Sequence, residues 1–244
     1  MLARVAEILN SIADGGPQAS LPVRLCQECV VALSITGVGL TLMTADGLSG
    51  GMVAVTDRPA QGMEELQFAL GQGPCVDASR SRRPVLQPDL LSTAVARWPE
   101  FGAAIPTAGV RAIFAFPLQV GAFRLGVLAL YRDTPGRLGD SELTDALAYA
   151  DAATTLLLDL QDQAGANREH PALTGALDNR AVVHQATGMI SVQLGVSPTE
   201  ALLRLRAHAY ATDRPMHDIS VAVVGRRMRF DHSEYGSTTI KGGR

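Results

Sequence analysis

The chain has 244 residues, 47% of them hydrophobic, 18% charged and 5% aromatic, with a formal net charge of −3. This is the profile of a soluble globular protein with one or two domains and enough apolar material for a real core. No stretch reaches the ~18 uninterrupted apolar residues of a membrane span, because Arg124 and Pro117 interrupt the best candidate. The start of the chain also lacks a charged-then-apolar leader, so a cytoplasmic location without a membrane partner is expected.

In chain order, residues 1–13 read as a short amphipathic helix with Val5, Ile8 and Ile12 on one side. Residues 21–35 read as a second helix. A strand follows over 37–43, then a turn at Ser49-Gly50-Gly51 into a hairpin partner over 52–56. A short helix over 64–70, an extended piece at 84–86 and a helix over 98–105 come next. Strands over 111–118 and 123–131, joined by Gly121-Ala122, suggest a second hairpin. Hairpins with helices before and after them describe an antiparallel sheet covered by helices, an α+β domain.

Asp140-Ser141-Glu142 caps a helix running to about Gln163, with Leu143, Leu147, Ala150, Thr154 and Leu157 forming a coiled-coil-like stripe. That stripe suits either the domain's own sheet or a dimer contact. Residues 165–171 are the linker candidate, dividing a first domain over 1–165 from an all-α domain over 171–230. In the second domain, Leu173, Ala176, Val183, Ala186, Ile190 and Leu194 mark a long helix ending at Gly195. Ser197-Pro198-Thr199-Glu200 opens a helix with Leu202, Leu205 and Ala209 inward; Ile219, Ala222 and Val223 line a third. Residues 231–244 lack a hydrophobic period and are expected to form a disordered tail.

Charge is unevenly spread. Residues 1–170 hold 12 basic and 18 acidic side chains, whereas 171–230 hold seven arginines against four carboxylates. An acidic body with a basic helical end points weakly to nucleic acid. The three cysteines, Cys26, Cys29 and Cys75, are an odd number, which argues against a disulfide framework. Cys26 and Cys29 are read as small buried hydrophobes on a helix, since no second Cys/His pair completes a zinc site. No metal site and no catalytic residue is assigned.

Two segments resemble known modules. Asn179-Arg180-Ala181-Val182-Val183-His184-Gln185-Ala186-Thr187-Gly188-Met189-Ile190, Thr199-Glu200-Ala201-Leu202, Leu205-Arg206 and Asp218-Ile219-Ser220 resemble the three-helix ANTAR domain. Gly71-Gln72-Gly73-Pro74-Cys75-Val76-Asp77-Ala78, Pro88-Asp89-Leu90, Arg97-Trp98-Pro99-Glu100-Phe101, Gly109-Val110-Arg111-Ala112 and Phe116-Pro117-Leu118 resemble the GAF sensor fold. The combination is similar to that of actinobacterial antitermination regulators. It implies a sensor controlling a module that binds paired RNA hairpins in nascent transcripts, as a homodimer with one module per hairpin.

The expected RNA contacts are Arg180, Gln185, Gly188, Arg206, Tyr210 and Arg214, with Arg226 and Arg227 peripheral. The family usually has a basic residue between the Ala and Gly of its Ala-x-Gly motif, where this chain has Thr187. The GAF resemblance implies a pocket between sheet and covering helices, for which Met43, Met52, Cys75, Trp98, Phe114 and Phe116 are the candidates. It would serve a small-molecule or redox signal. No bilin-type cysteine, haem-ligand or cyclic-nucleotide signature names a cofactor, and Gly71-x-Gly73 lacks the Lys and Ser/Thr of a phosphate loop. Two other functions compete: DNA binding by a helix-turn-helix mimic, and thiol-dependent reduction of free methionine sulfoxide, which some GAF domains perform.

Overall fold

Alternation with period two builds the sheet of the larger unit, Met1–Ala176. Its strands are β1 (Gly37–Met43), β2 (Ser49–Val55), β3 (Val85–Gln87), β4 (Ala112–Val120) and β5 (Phe123–Arg132). They pair antiparallel throughout, in the order β2-β1-β5-β4-β3. The helices are α1 (Leu2–Asp14), α2 (Leu21–Leu33), α3 (Arg58–Leu70), α4 (Pro74–Ser81), α5 (Leu90–Arg97), α6 (Pro99–Ala104) and α7 (Asp140–Asn167). The computed structural model describes residues 1–15, 19–43, 49–105, 109–167, 171–212, 214–231 and 237–239. Side chains at 49–50, 104, 163–180, 199, 210 and 237–239 are outside that description.

The sheet is covered on both faces. Even-numbered residues Leu40, Phe114, Phe116, Leu128 and Leu130 join one core with α1, α2 and α7. Odd-numbered Ile113, Ala115, Val127, Ala129 and Tyr131 join a second core with Met63, Cys75, Leu90 and Phe101 of α3–α6. Each fully buried aromatic or aliphatic side chain contributes roughly 1.5–3 kcal/mol. Of the stripe expected on α7, Ala150 and Leu157 are buried in the first core, Leu143 and Leu147 pack against it partly buried, and Thr154 is half-buried. The buried face of the helix also holds Tyr149, Ala153, Leu156 and Leu160. Gly126 of β5 leaves room for Leu157, whose Cδ1 lies 3.6 Å from where a Cβ would stand.

Several boundaries differ from the sequence reading. Ser49-Gly50-Gly51, expected as a turn, lies inside β2; the Leu42/Met43 register shift passes over Gly50, with Gly51 at φ 132°. α3 starts six residues earlier than expected, because Asp57 accepts the Ala60 N–H at 2.8 Å and Pro59 suits a first turn. α4 and α5 are short helices that the sequence reading assigned to no element.

The second unit, Leu177–Arg244, contains most of α8 (Pro171–Leu194), then α9 (Pro198–Ala211) and α10 (Met216–Val224). α8 ends at Gly195 with φ 60°, and Ser197 Oγ caps α9 by accepting the Glu200 N–H at 3.2 Å. Val183, Ala186, Ile190, Leu194, Leu205, Ala209, Ile219 and Val223 are buried. Ala201, rather than the expected Leu202, faces inward at the start of α9. The expected linker at 165–171 is helical through Asn167, with 168–170 outside the described residues, and the division between units falls within α8.

Within the expected tail, the structure differs at 237–239. β6 (Met228–Phe230) pairs antiparallel with β7 (Ser237–Thr239). Strand formation needs no hydrophobic period there: Thr238 and Thr239 are β-branched, and Met228 and Phe230 anchor the ribbon in the core. Residues 232–236 and 240–244 lie outside the described residues. Among the described residues no helix is long and apolar enough to cross a membrane.

Candidate functional site

The six residues proposed to line one pocket do not converge. Met43, Cys75 and Trp98 belong to the core under α3–α6, whereas Phe114 and Phe116 belong to the opposite core. The pleat enforces this separation, since residues of even and odd number in β4 point to opposite sides. Met52 is half-buried on the edge strand β2.

What lies between the sheet and α3 is a buried polar cluster, which sequence reasoning missed. Glu64 is 6% exposed. Tyr131 donates its hydroxyl to Glu64 Oε1 at 2.7 Å, and Thr41 donates to Oε2 at 2.9 Å. Gln67 Nε2 lies 3.5 Å from the Tyr131 hydroxyl, and Gln67 Oε1 accepts the Cys75 N–H at 2.8 Å. The cluster is all acids, hydroxyls and amides. Burial therefore raises the Glu64 pKa above 4.5, although the Tyr131 and Thr41 hydrogen bonds pull it back. Burial, then the Glu64 charge, pushes the Cys75 thiol and the Tyr131 phenol well up. A side chain at position 39 would collide with Glu64, so Gly39 makes the space for the carboxyl. That glycine, with small Gly37 two residues before it, was the available signal.

The GAF-like motif words turn out to be joints of this face. Asp77 Oδ2 accepts from Arg97 Nε at 3.1 Å and Nη2 at 2.9 Å, and from Trp98 Nε1 at 3.2 Å. Arg97 also lies over the Trp98 ring at 4.6 Å. Gly73 has φ 127°, and a Cβ there would strike Gln67 at 2.7 Å. Cys26 and Cys29 are buried on α2, and burial raises both thiols. Among the described residues no cluster of His, Cys, Asp and Glu could hold a metal.

The opposite core carries a cleft of about 320 Å³, lined by Leu86, Pro88, Phe114, Arg137, Leu138 and Leu143. Arg132 lies over the Phe114 ring at 5.8 Å and bonds Glu142 Oε1 at 2.8 Å. Glu142 Oε2 in turn accepts the Gly139 N–H at 2.7 Å, a cap on α7.

In the second unit, Gln185 and Gly188 are exposed on α8, together with Ala181 and Val192. Spacings of three and four residues put them on one helix face. Arg206 is half-buried on α9 and Arg214 is exposed. The side chains of Arg180 and Tyr210 lie outside the described residues. Thr187 does not occupy the exposed face. It is 6% exposed, and its hydroxyl donates back to the Val183 carbonyl at 2.7 Å. His208 packs edge-on against Phe230 with ring centroids 5.3 Å apart, and burial, then the Arg214 charge, lowers its pKa from 6.5. Arg214 also lines a cleft of about 420 Å³ with His217, Asp218, Val221, Ala222, Arg227 and Met228.

Comparisons with known proteins agree with this division. A model described as GAF domain matches residues 23–158, and one described as ANTAR domain matches residues 172–224. Similar solved structures include the GAF domain from Acinetobacter phosphoenolpyruvate-protein phosphotransferase, at 10% identity and TM-score 0.49 over 66% of this chain and 94% of that one. The GAF domain of the Coxiella burnetii phosphoenolpyruvate-protein phosphotransferase matches at 15% identity and TM-score 0.49, over 67% of this chain and 96% of that one. A type II free methionine-R-sulfoxide reductase from Thermoplasma acidophilum matches at 13% identity and TM-score 0.43, over 64% of this chain and 95% of that one. Comparison with curated proteins gives no match. The chain belongs to the GAF domain family and joins its GAF domain to an ANTAR domain, the architecture of a regulator pairing a sensor with an RNA-binding antitermination module.

Proposed function

We propose that this protein is a transcription antitermination regulator whose GAF domain controls an ANTAR module that binds paired RNA hairpins in nascent transcripts. It works in the cytoplasm as a homodimer, with one module engaging each hairpin. Gly188 carries the reading. A glycine inside a helix costs about 1 kcal/mol relative to alanine, and here no packing among the described residues accounts for it. A Cβ built at Gly188 meets nothing within 4 Å, and the residue is exposed beside Gln185. An exposed helix face without a side chain suits close approach of another molecule's backbone, as at an RNA loop.

The signal at the GAF domain is a small molecule or a redox change. The sulfoxide reductase alternative is disfavoured by the cysteines, all three of which are buried. That chemistry needs an accessible thiolate, and burial stabilises the neutral thiol instead.

Titrating hairpin RNA against duplex DNA of equal charge, at several salt concentrations, tests the assignment. Tighter binding of the hairpin is expected, together with a salt slope set by the arginines of the module. Equal or tighter binding of the duplex overturns it in favour of a DNA-binding regulator.

A further inference from the structure

We infer that the cleft between α10 and β6 receives a single unpaired nucleotide of the RNA, with its base on the apolar floor and its phosphate between two arginines. This rests on the RNA-binding reading above and assigns the hairpin a specific socket. Four observations carry it.

The first is size. At about 420 Å³ the cleft falls in the range that holds small-molecule ligands. The second is its lining, which is divided as a nucleotide is divided. Val221, Ala222 and Met228 provide apolar surface, and Arg214 and Arg227 are exposed cations. Neither arginine forms an ion pair with a carboxylate among the described residues. Asp218, on the same wall, supplies an acceptor for base N–H groups rather than a partner for phosphate.

The third is an unmet hydrogen bond. Nδ1 of His217 is buried and has no partner among the described residues. Such an atom costs about 1–3 kcal/mol unless a partner arrives, and the side chain lines the cleft. A base edge offers that partner once the imidazole turns to present Nδ1 to the cleft. The fourth is backbone strain at the rim. Arg226 takes φ 56° directly after Gly225, which has φ −73°. A helix end ordinarily places glycine in the left-handed position. Here the arginine occupies it, and its neighbour Arg227 lines the cleft. Non-glycine residues held at positive φ tend to cluster at ligand-binding sites.

Unpaired loop bases are the part of an RNA hairpin that can be splayed out and inserted. A duplex keeps its bases stacked and cannot reach the floor. The socket therefore also favours hairpin over duplex.

The test uses the full chain and a stem-loop RNA selected from a pool with a randomised loop. Each loop position is then made abasic in turn and its affinity measured against wild type, His217→Ala and Arg227→Gln, with folding checked by circular dichroism. The expected result is that one abasic position loses about tenfold or more with wild type and little further with His217→Ala. Arg227→Gln should weaken the intact RNA and reduce the salt slope by about one. If wild type binds the hairpin but no abasic position couples to His217, the socket is overturned and the RNA reading stands. If the selection enriches no hairpin that wild type binds better than duplex DNA, both fall together.

Discussion

The hydroxyl of Tyr131 at the end of β5 donates to Glu64 Oε1 of α3 at 2.7 Å, deep in the sensor domain. No cation stands among the partners that set the Glu64 pKa, so the carboxyl is held by hydroxyl donors alone. The folded state binds the Glu64 proton more tightly than the unfolded chain does. Its contribution is fully present below the unfolded value near 4.5 and is lost as pH rises through the higher folded value.

Glu64→Gln keeps both hydrogen bonds, because the amide oxygen accepts from Tyr131 and the amide nitrogen donates to Thr41. Thermal unfolding across pH 4 to 8 is expected to show a flatter profile for the variant, whose advantage grows with pH. Glu64→Ala strands two hydroxyls and is expected to cost about 2 kcal/mol or more. Parallel pH profiles for Glu64→Gln and wild type would show that Glu64 binds its proton equally well folded and unfolded, and would overturn the upward shift.

The cysteines provide a second check. Each is buried and its thiol is pushed above 9.0. An aromatic disulfide reagent is expected to leave the native protein unmodified over minutes at pH 8 and to titrate three thiols in denaturant. Rapid native reaction of one thiol would revive a redox role for it.

Thr187→Lys separates an inward from an outward reading of the motif position where a basic residue is usual. Because Thr187 packs in the core and bonds Val183, the substitution is expected to destabilise the ANTAR module. The cost is on the order of 2 kcal/mol, reduced where the lysine stem snorkels outward. Calorimetry measures it. A gain in hairpin affinity without loss of stability would place that side chain on the binding face.

Gly188→Ala is expected to move stability and binding in opposite directions. The helix gains roughly 0.5–1 kcal/mol, and among the described residues the new methyl meets nothing within 4 Å beyond its own stretch of helix. Hairpin affinity should nevertheless fall about tenfold, equivalent to roughly 1.4 kcal/mol. Unchanged affinity in a stabilised protein would leave the glycine without an external role.

The strands and the long helices were legible because their apolar periods extend over many residues. α4 and α5 were not: each spans eight residues, about two turns, too few for a period to stand out. The candidate pocket failed for a different reason. Apolar type alone does not reveal which sheet face a residue joins, and the pleat sent Phe114 and Cys75 to opposite cores. Glu64 reads as a surface charge until Gly39, 25 positions earlier, is seen to clear space for it. Gln185, Gly188 and Arg214 are exposed as a contact surface requires. His217 gave no sequence signal, since its unmet nitrogen is visible only once its neighbours are in place.

Glu142 divides its two oxygens between the Gly139 N–H just ahead of α7 and Arg132 at the end of β5. Residues 133–138 are thereby bridged: a charged clasp joins the start of α7 directly to the end of the sheet, in parallel with the loop. Sliding the helix along the sheet requires this clasp to open.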